Sequence, residues 1–479
     1  MDGRMLIDGK LVSASDGGWL DAINPSNGEV VGRVAAGTTE DVTRAVDAAE
    51  AAWREWFAAG INVRHAAIKA LAAALDDAKD ELADLEVRDS GNTITKVRDD
   101  VRKAANGLRH FAEIAYEAQG RTIPGDGTHL HATIREPFGT VARIVPFNHP
   151  IMFAASRVGA PLLAGNAVVV KAPEQASLSV CRFAELCAEI FPPGVVNVVT
   201  GNGVPVGDAL VRDPRVRRVA FTGSVPTGKA IMRAAGDSSI KQLSLELGGK
   251  NPLVVLPDAD LEAVADAAVG GMNFAWQGQS CGSTSRVLVH QDAYESLVES
   301  IGARVAAIEL GDPASPDTQM GPLITAAHLE RVRGFVARAK DEGARLVTGG
   351  ERPEGAQFEH GNWIRPTVFA DVAPGSDLFH NEVFGPILAI TPYTDLEQAV
   401  EFANDVAYGL TASIWTNDLQ RAMELVTRIR AGYVWVNEAG KRYRGTPFGG
   451  FDDSGVGREE GLEELFSYSA AKTVHINFG

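Results

Sequence analysis

The 479-residue sequence predicts a mixed α/β protein with a doubly wound parallel sheet and a second α/β block. From residue 140 onward, apolar strand-like runs alternate with helical segments, which is the pattern of a parallel sheet covered by helices on both faces. The strand-like runs cover residues 140–145, 167–171, 195–200, 216–222 and 242–247, and the helical segments cover residues 177–191, 205–212 and 226–235. The second block extends from residue 252 to about residue 448, with strands predicted at residues 287–290, 387–391, 413–416 and 433–437. The chain length indicates two or three domains.

Two helices are predicted ahead of the first sheet. Thr38, with Asp41 three residues later, resembles a capping box that opens a helix. Apolar residues then recur at helical spacing, and a second helix carries a leucine-rich face between residues 68 and 85. We interpret both stripes as core surfaces.

A protruding hairpin is predicted between about residues 119 and 137. Short alternating runs, such as residues 130–135, are bounded there by Gly120, Pro124, Gly125 and Gly127. The end of the chain, residues 469–478, again alternates like a strand. Because isolated two-stranded ribbons are marginally stable, these segments predict a partner chain.

Composition excludes several classes of protein. A formal net charge of −17 argues against a nucleic-acid partner, which needs clustered Lys and Arg, and against an anionic membrane surface. Residues 1–10 are mixed and charged, so no signal peptide is expected, and the most apolar segment, residues 158–170, is too short to span a bilayer. Three cysteines cannot form a disulfide framework, which favours a reducing cytoplasm.

The stretch F-A-W-Q-G-Q-S-C-G-S-T-S-R, residues 274–286, places Cys281 in a Gly/Ser-rich turn between an apolar helical run and a strand. A cysteine in such a turn can present its sulfur to a cleft, where backbone N–H groups or a nearby base favour the nucleophilic thiolate. The alternative is a buried, inert cysteine.

A second stretch, Q-L-S-L-E-L-G-G-K-N-P, places Glu246 between two leucines in a strand that ends in a double glycine. Apolar surroundings raise the pKa of a carboxylate toward the range of a general base. The alternative is a glutamate on the solvated face of an edge strand. The pair L-E-L-G-G-K-N-P and G-Q-S-C resembles the aldehyde dehydrogenase superfamily, and the resemblance covers nearly the whole chain.

The resemblance implies a three-part organisation. A Rossmann-like NAD-binding domain would comprise residues 1–118 and 138–248, and a catalytic domain residues 249–452. Residues 119–137 and 453–479 would form a small β oligomerisation arm and C-terminal strand that cross between subunits. A homodimer or a homotetramer is therefore expected.

Two glycine-rich turns compete for the dinucleotide pyrophosphate, which normally lies near a helix N-terminus. Residues 201–207 nearly match G-x-G-x-x-G, but the last spacing is one residue too long. Residues 221–228, F-T-G-S-x-x-x-G, form a strand, a tight turn and a helix start. The residues alone leave both open; the resemblance favours the second, with Gly223 and Ser224 contacting the pyrophosphate.

Further residues are candidates for the two riboses of NAD. Lys171 and Glu174, at the end of a buried strand, suit the adenosine ribose, although they could also be a surface pair. The resemblance implies that Glu382 holds the nicotinamide ribose and that Phe384 packs beside it. A carboxylate at Glu174 would repel the extra phosphate of NADP, which predicts a preference for NAD.

Asn148, just after a predicted strand, can donate its amide to an oxyanion, together with the N–H of Cys281. The resemblance implies attack by the Cys281 thiolate on an aldehyde, hydride transfer to NAD, and hydrolysis of the thioester by water that Glu246 activates. Glu459 matches a second carboxylate considered for proton transfer. No metal ligand belongs to this set. The family more often has tryptophan at Phe147 and an apolar or aromatic residue at His149.

Other functions need different features. A cofactor-free cysteine hydrolase would need a histidine paired with Cys281, for which His149 is the candidate, and would leave the Rossmann-like half unexplained. A non-catalytic protein of the same fold would not need Cys281, Glu246, Asn148 and Lys171 together. A CoA-acylating relative would typically lack the glutamate at Glu246.

The substrate is predicted least directly. Six residues are expected by position to line the substrate tunnel, and several of them are small: His149, Phe153, Ser156, Ala275, Ser280 and Gly282. Lys441, Arg442 and Arg444 form a basic cluster that is either a solvated charge run or a part of the tunnel. If the cluster is a part of the tunnel, the expected substrate is an aldehyde that carries a carboxylate, or an aromatic aldehyde whose ring bears one.

Overall fold

The computed structural model describes residues 1–479 and contains two large sheets. The first has eight strands in the spatial order Gly455–Val456, Gln242–Glu246, Val216–Thr222, Thr140–Ile144, Ala167–Lys171, Val196–Val199, Met5–Ile7 and Lys10–Val12. The five central strands are parallel, and the strands on both edges are antiparallel. The predicted strands are confirmed to within one residue at each end; the antiparallel edge strands were not predicted.

The second sheet has seven strands, all parallel except the first: Arg345–Thr348, Thr367–Ala370, Ile387–Tyr393, Arg286–His290, Pro252–Val255, Thr411–Trp415 and Tyr433–Val436. Four of these strands are predicted from the sequence, whereas those at Arg345–Thr348, Thr367–Ala370 and Pro252–Val255 are not. The mixed α/β fold that the sequence predicts is therefore confirmed.

Helices cover both faces of each sheet, because each central strand buries side chains on both sides. Val168 and Val170 lie in one core of the first sheet, and Val169 lies in the other. The second sheet divides its strands between two cores in the same way. The α-helices are Thr39–Ala58, Ile61–Asp77, Lys79–Ser90, Ile94–Ile114, Pro150–Ser156, Gly159–Leu163, Leu178–Ile190, Asp208–Arg212, Val225–Ser238, Leu261–Gly271, Tyr294–Ala306, Ala326–Asp341, Asp377–His380, Leu396–Asn404, Leu419–Arg428 and Leu462–Phe466.

The first helix begins as the sequence predicts. Thr38 accepts a hydrogen bond from the Asp41 N–H, and the Asp41 carboxylate accepts one from the Thr38 N–H, which completes the capping box. The helix predicted at residues 205–212 differs: a π-helical turn covers Gly203–Gly207, and the α-helix begins at Asp208. No helix combines the length and the apolar character that crossing a membrane requires.

A smaller sheet, here called the arm sheet, contains Ser469–Asn477, His129–Pro137 and Thr122–Ile123. Its two long strands are antiparallel, from Ser469 opposite Pro137 to Asn477 opposite His129. The predicted C-terminal arm segment, residues 453–479, divides between two places. Gly455–Val456 pairs with the first sheet, and only the last strand belongs to the arm sheet. Two further small sheets contain Asp2–Gly3, Trp19–Ile23 and Val30–Ala35, and Tyr408–Gly409 and Phe451–Asp452.

Candidate active site

One cleft of about 960 Å³ lies at the carboxyl ends of the first sheet's parallel strands. From Thr140–Ile144 the chain continues to Ala167–Lys171, which is its neighbour on one side in the sheet. Its neighbour on the other side is Val216–Thr222, so the strand order reverses between Thr140–Ile144 and Val216–Thr222. Open parallel sheets bind ligands at such a switch point. Glu459 does not line the cleft, whereas the residues predicted for the main catalytic roles and for cofactor binding all line it: Asn148, Lys171, Glu174, Gly223, Ser224, Glu246, Cys281, Glu382 and Phe384.

Cys281 lies half-buried in the turn that follows the short helix Phe274–Trp276. The Asn251 side-chain amide donates to the backbone carbonyls of Cys281 and Ser283, both at 2.8 Å, and so fixes the turn. No role for Asn251 is predicted from the sequence, although this residue belongs to the G-G-K-N-P motif. Cys181 and Cys187 are buried in the helix Leu178–Ile190, as expected of core residues.

Burial raises the pKa of the Cys281 thiol to about 12, although the Arg442 guanidinium and the Cys281 backbone N–H act in the opposite direction. This direction is opposite to the prediction from the sequence, in which backbone N–H groups or a nearby base favour the thiolate. Burial outweighs those contributions here, because a charged sulfur loses more hydration in a partly closed cleft than the neighbouring dipoles replace.

Glu246 ends the strand Gln242–Glu246 and is 3% exposed. Neither carboxyl oxygen has a hydrogen-bond partner in the protein. Burial, and then the negative charge of Glu459, raise the pKa of Glu246 well above its usual value. This direction agrees with the prediction from the sequence, and the burial excludes the alternative of a solvated edge-strand glutamate.

The Asn148 side chain has a fixed orientation. Its amide nitrogen donates to the Gln279 carbonyl at 2.9 Å, and its own backbone carbonyl accepts from the Asn92 amide at 2.9 Å. A side-chain amide has two N–H groups, so a second donor remains on the same nitrogen. Asn148 can therefore donate to an oxygen in the cleft without losing its contact to the segment before Cys281.

His149 forms a hydrogen bond to Asp100 rather than to Cys281. The His149 Nδ1 atom lies 2.6 Å from Asp100 Oδ2, and the ring packs 5.1 Å from the Trp276 ring and 6.0 Å from the Phe153 ring. The pairing that a cofactor-free cysteine hydrolase would require is thus replaced by a buried contact with a carboxylate.

The turn at Gly223 leads directly into a long helix. Ser224 is the N-cap of Val225–Ser238 and accepts a hydrogen bond from the Thr227 N–H. A Cβ atom at Gly223 would lie 2.4 Å from the Phe221 ring, so the turn requires glycine. The helix N-terminus therefore opens into the cleft, where a phosphate would find free N–H groups. Gly203 and Gly207 of the competing turn line the same cleft.

The two predicted ribose sites lie at different parts of the cleft. Lys171 is buried and donates to Glu174 at 2.7 Å. Glu382 accepts from the Gly249 N–H at 3.0 Å, and burial raises the pKa of Glu382 to about 7. A Cβ atom at Gly248 would lie 2.1 Å from the Glu382 carboxylate, so that glycine permits the approach.

Phe384 lies beside Glu382 and contacts a second aromatic ring of the cleft. The Phe384 and Phe147 rings are edge to face with centroids 5.7 Å apart, and the Phe384 carbonyl lies 2.7 Å from His328 Nε2. Phe147, at the position where the family more often has tryptophan, thus keeps an aromatic side chain in the wall of the cleft.

The basic cluster does not act as one unit. Lys441 is 62% exposed at its side chain and pairs with Glu438, and the charge of Arg444 acts on His110. Arg442 instead lies beside the turn that contains Cys281: a Cβ atom at Gly282 would lie 3.6 Å from Arg442 Nη2. Arg442 is not among the residues that line the cleft of about 960 Å³.

Glu459 is held by arginines. It accepts from Arg143 Nη1 at 2.6 Å, and Arg157 Nε lies 3.3 Å from its other oxygen. Burial alone would raise the pKa of Glu459, but the two guanidinium groups outweigh burial and lower it to about 2. A carboxylate with so low a pKa is a weak base, which makes Glu459 a poor proton acceptor at neutral pH.

Comparisons with known proteins show the family of the chain. The aldehyde dehydrogenase family model matches residues 12–474. The aldehyde dehydrogenase tropH of Talaromyces stipitatus is 42% identical over 486 residues, which cover 99% of this chain and 93% of that protein.

Several solved structures cover 100% of the chain. PnpE from Pseudomonas sp. WBC-3 is 38% identical, with a TM-score of 0.97 and 98% of its own chain covered. The NAD+ complex of an aldehyde dehydrogenase from Bacillus cereus is 36% identical, with a TM-score of 0.97 and 97% covered. The chain therefore belongs to the aldehyde dehydrogenase family and is an oxidoreductase that acts on aldehydes.

Proposed function

We propose that this enzyme oxidises an aldehyde to its carboxylic acid through a thioester on Cys281, with NAD as the cofactor. One observation carries the proposal: the thiol of Cys281, the amide of Asn148 and the buried carboxyl of Glu246 open into a single cleft that also contains the dinucleotide-binding features. The direct experiment measures NADH or NADPH formation from a panel of aldehydes with each cofactor supplied. No reduced cofactor from any aldehyde would contradict the proposal.

The residues divide the reaction between them. Attack requires the Cys281 thiolate, so the thiol proton first passes to water in the cleft. The sulfur then bonds to the aldehyde carbon while the C=O π pair moves to the oxygen, which accepts the second N–H of the Asn148 amide; one such donor contributes about 3 kcal/mol. NAD, when bound, supplies the acceptor for the hydride that leaves the carbon, so that a thioester remains on Cys281. Glu246 then takes a proton from water, which attacks the thioester and releases the acid.

NAD, when bound, would occupy this cleft. The N-terminus of Val225–Ser238 would hold the pyrophosphate, with Gly223 and Ser224 in the turn. Lys171 and Glu174 would hold the adenosine ribose, and Glu382 the nicotinamide ribose, with Phe384 as a wall beside it.

We expect the wild-type enzyme to prefer NAD, and Glu174→Gln to shift the preference toward NADP by about tenfold or more, since like charges placed opposite each other are costly. The Glu174 carboxylate already has Lys171 as its partner, so that lysine is only partly available to a phosphate. The measurement is the ratio of kcat/KM for NAD to that for NADP. Glu185→Gln, on the helix that follows, is the matched control, because Glu185 lies outside the cleft. A wild-type preference for NADP would refute this assignment.

We further propose that the substrate carries a carboxylate, or an aromatic ring bearing one, which Arg442 binds. The proposal is supported by the position of Arg442 Nη2 near Gly282 and by its freedom from hydrogen bonds, whereas Nη1 is bound to Glu460. A guanidinium with a free N–H edge suits a carboxylate. Of the residues expected to line the tunnel, Ser156 and Ala275 are small enough to leave room for a ring.

Arg442→Ala is expected to raise KM for 4-carboxybenzaldehyde by about tenfold or more, because it removes a charge-assisted hydrogen bond. Benzaldehyde lacks the carboxylate and reports any general damage. Lys441→Ala is the matched control, since it removes a positive charge from the same loop but from a solvated position. Equal increases in KM for 4-carboxybenzaldehyde and benzaldehyde would contradict the proposed role of Arg442.

Residues 119–137 and the strand Ser469–Asn477 are proposed as the oligomerisation arm of a homodimer or homotetramer. Ile134, Ile476 and Phe478 are 47%, 43% and 67% exposed in the single chain, which supports a partner surface on the arm sheet. The cofactor and catalytic domains are proposed to divide near residue 248, between the two large sheets. Three free cysteines support a reducing compartment such as the cytoplasm.

A further inference from the structure

The side chain that holds Arg442 is Glu460, eighteen residues later in the chain. A single oxygen, Glu460 Oε1, accepts from Arg442 Nη1 at 3.1 Å and from Arg157 Nη2 at 2.8 Å. Glu460 thus connects Arg442, which lies beside the turn that contains Cys281 and Gly282 (here called the catalytic turn), to Arg157 in the protein interior.

The interior end of this connection is rigid. Arg157 is 5% exposed and also lies 3.3 Å from Glu459 and 3.4 Å from Glu464. The Glu460 backbone N–H donates to Glu464 Oε2 at 2.7 Å. Glu460 itself has a φ of +69°, a left-handed conformation that a non-glycine residue keeps only where surrounding contacts enforce it.

At the Arg442 end of this connection, one edge of the guanidinium group remains free. The guanidinium lies over the Phe448 ring, 3.2 Å from its centroid, and Glu460 occupies Nη1. Nη2 forms no hydrogen bond and would lie 3.6 Å from a Cβ atom at Gly282. Burial would raise the pKa of Glu460, but Arg442 and Arg157 outweigh burial and lower it, so Glu460 stays ionised.

We propose that Glu460 is a positioning residue, which fixes Arg442 so that Nη2 points toward the catalytic turn and can bind the carboxylate of the substrate. The proposal rests on the proposed function of Arg442. A flexible arginine would have to be ordered at each binding event, which costs conformational entropy; Glu460 and Phe448 order it beforehand.

The test is a double-mutant cycle with Glu460→Gln, Arg442→Ala and the double variant. The readout is the ratio of kcat/KM for 4-carboxybenzaldehyde to that for benzaldehyde, which cancels general damage to the active site. We expect Glu460→Gln to lower the ratio by about tenfold, through KM rather than kcat, and to lower it no further when Arg442 is already alanine. Glu463→Gln, a neighbouring exposed glutamate, is the matched control and should leave the ratio unchanged.

An unchanged ratio in Glu460→Gln, or an equal decrease in the Arg442→Ala background, would overturn the positioning role. A ratio that Arg442→Ala leaves unchanged would instead refute the proposed function of Arg442 itself, so the two failures are distinguishable. Arg442→Lys tests the same geometry if Glu460→Gln does not fold. A lysine has one ammonium group and cannot contact Glu460 and the catalytic turn with separate nitrogens. We expect the ratio to fall as in Arg442→Ala; a retained ratio would contradict the proposal.

Discussion

The Cys281→Ala variant is expected to form no NADH from any aldehyde and to lose any ester hydrolysis, because one sulfur serves both reactions. Removal of a covalent nucleophile commonly lowers kcat by about 10,000-fold or more. Steady-state absorbance of NADH and hydrolysis of a chromogenic ester measure the two activities.

Cys187→Ala is the matched control for Cys281→Ala. Cys187 is buried in the helix Leu178–Ile190, away from the cleft, so this variant should keep both activities. If Cys281→Ala still formed NADH at an appreciable rate, the covalent route would be excluded.

The Glu246→Gln variant is expected to release a burst of NADH and then turn over about 100- to 10,000-fold more slowly than the wild type, the range that a general base typically contributes. Glutamine keeps the size of the side chain but cannot accept a proton from water, so acyl-enzyme should accumulate. Stopped-flow absorbance gives the burst amplitude per active site and the slower rate that follows.

The exposed Glu463→Gln variant provides the control for this experiment. A Glu246→Gln rate near that of the wild type would place water activation elsewhere. Glu459 would then be the next carboxylate to test, although Arg143 and Arg157 hold its pKa at about 2.

Much of the fold could be predicted because the relevant signals are local. Buried parallel strands appear as short apolar runs, so the five central strands of the first sheet were found within one residue of their ends. The edge strand Gly455–Val456 could not be found, since two residues carry no periodicity. Its pairing with the strand that contains Glu246 depends on a contact across about 210 residues of sequence.

The same distinction between local signals and long-range contacts applies to the residues of the candidate site. Cys281 and Glu246 lie in motifs that can be identified directly in the sequence. The roles of Asn251 and Arg442 depend on which residues lie nearby in space: Asn251 donates to a carbonyl 30 residues away, and Arg442 resembles its exposed neighbour Lys441 in sequence. Likewise, Arg143 and Glu459 are 316 residues apart in the chain, so no local pattern predicts their contact.

The most direct test of the central claim is the mass of the Glu246→Gln enzyme after it is mixed with benzaldehyde and NAD and quenched in acid. The account predicts that the chain gains the mass of one acyl group, and that peptide mapping places this group on Cys281. Burst formation of NADH should match the acylated fraction. An enzyme that forms NADH without gaining an acyl group, or that carries the group on another residue, would contradict the thioester mechanism.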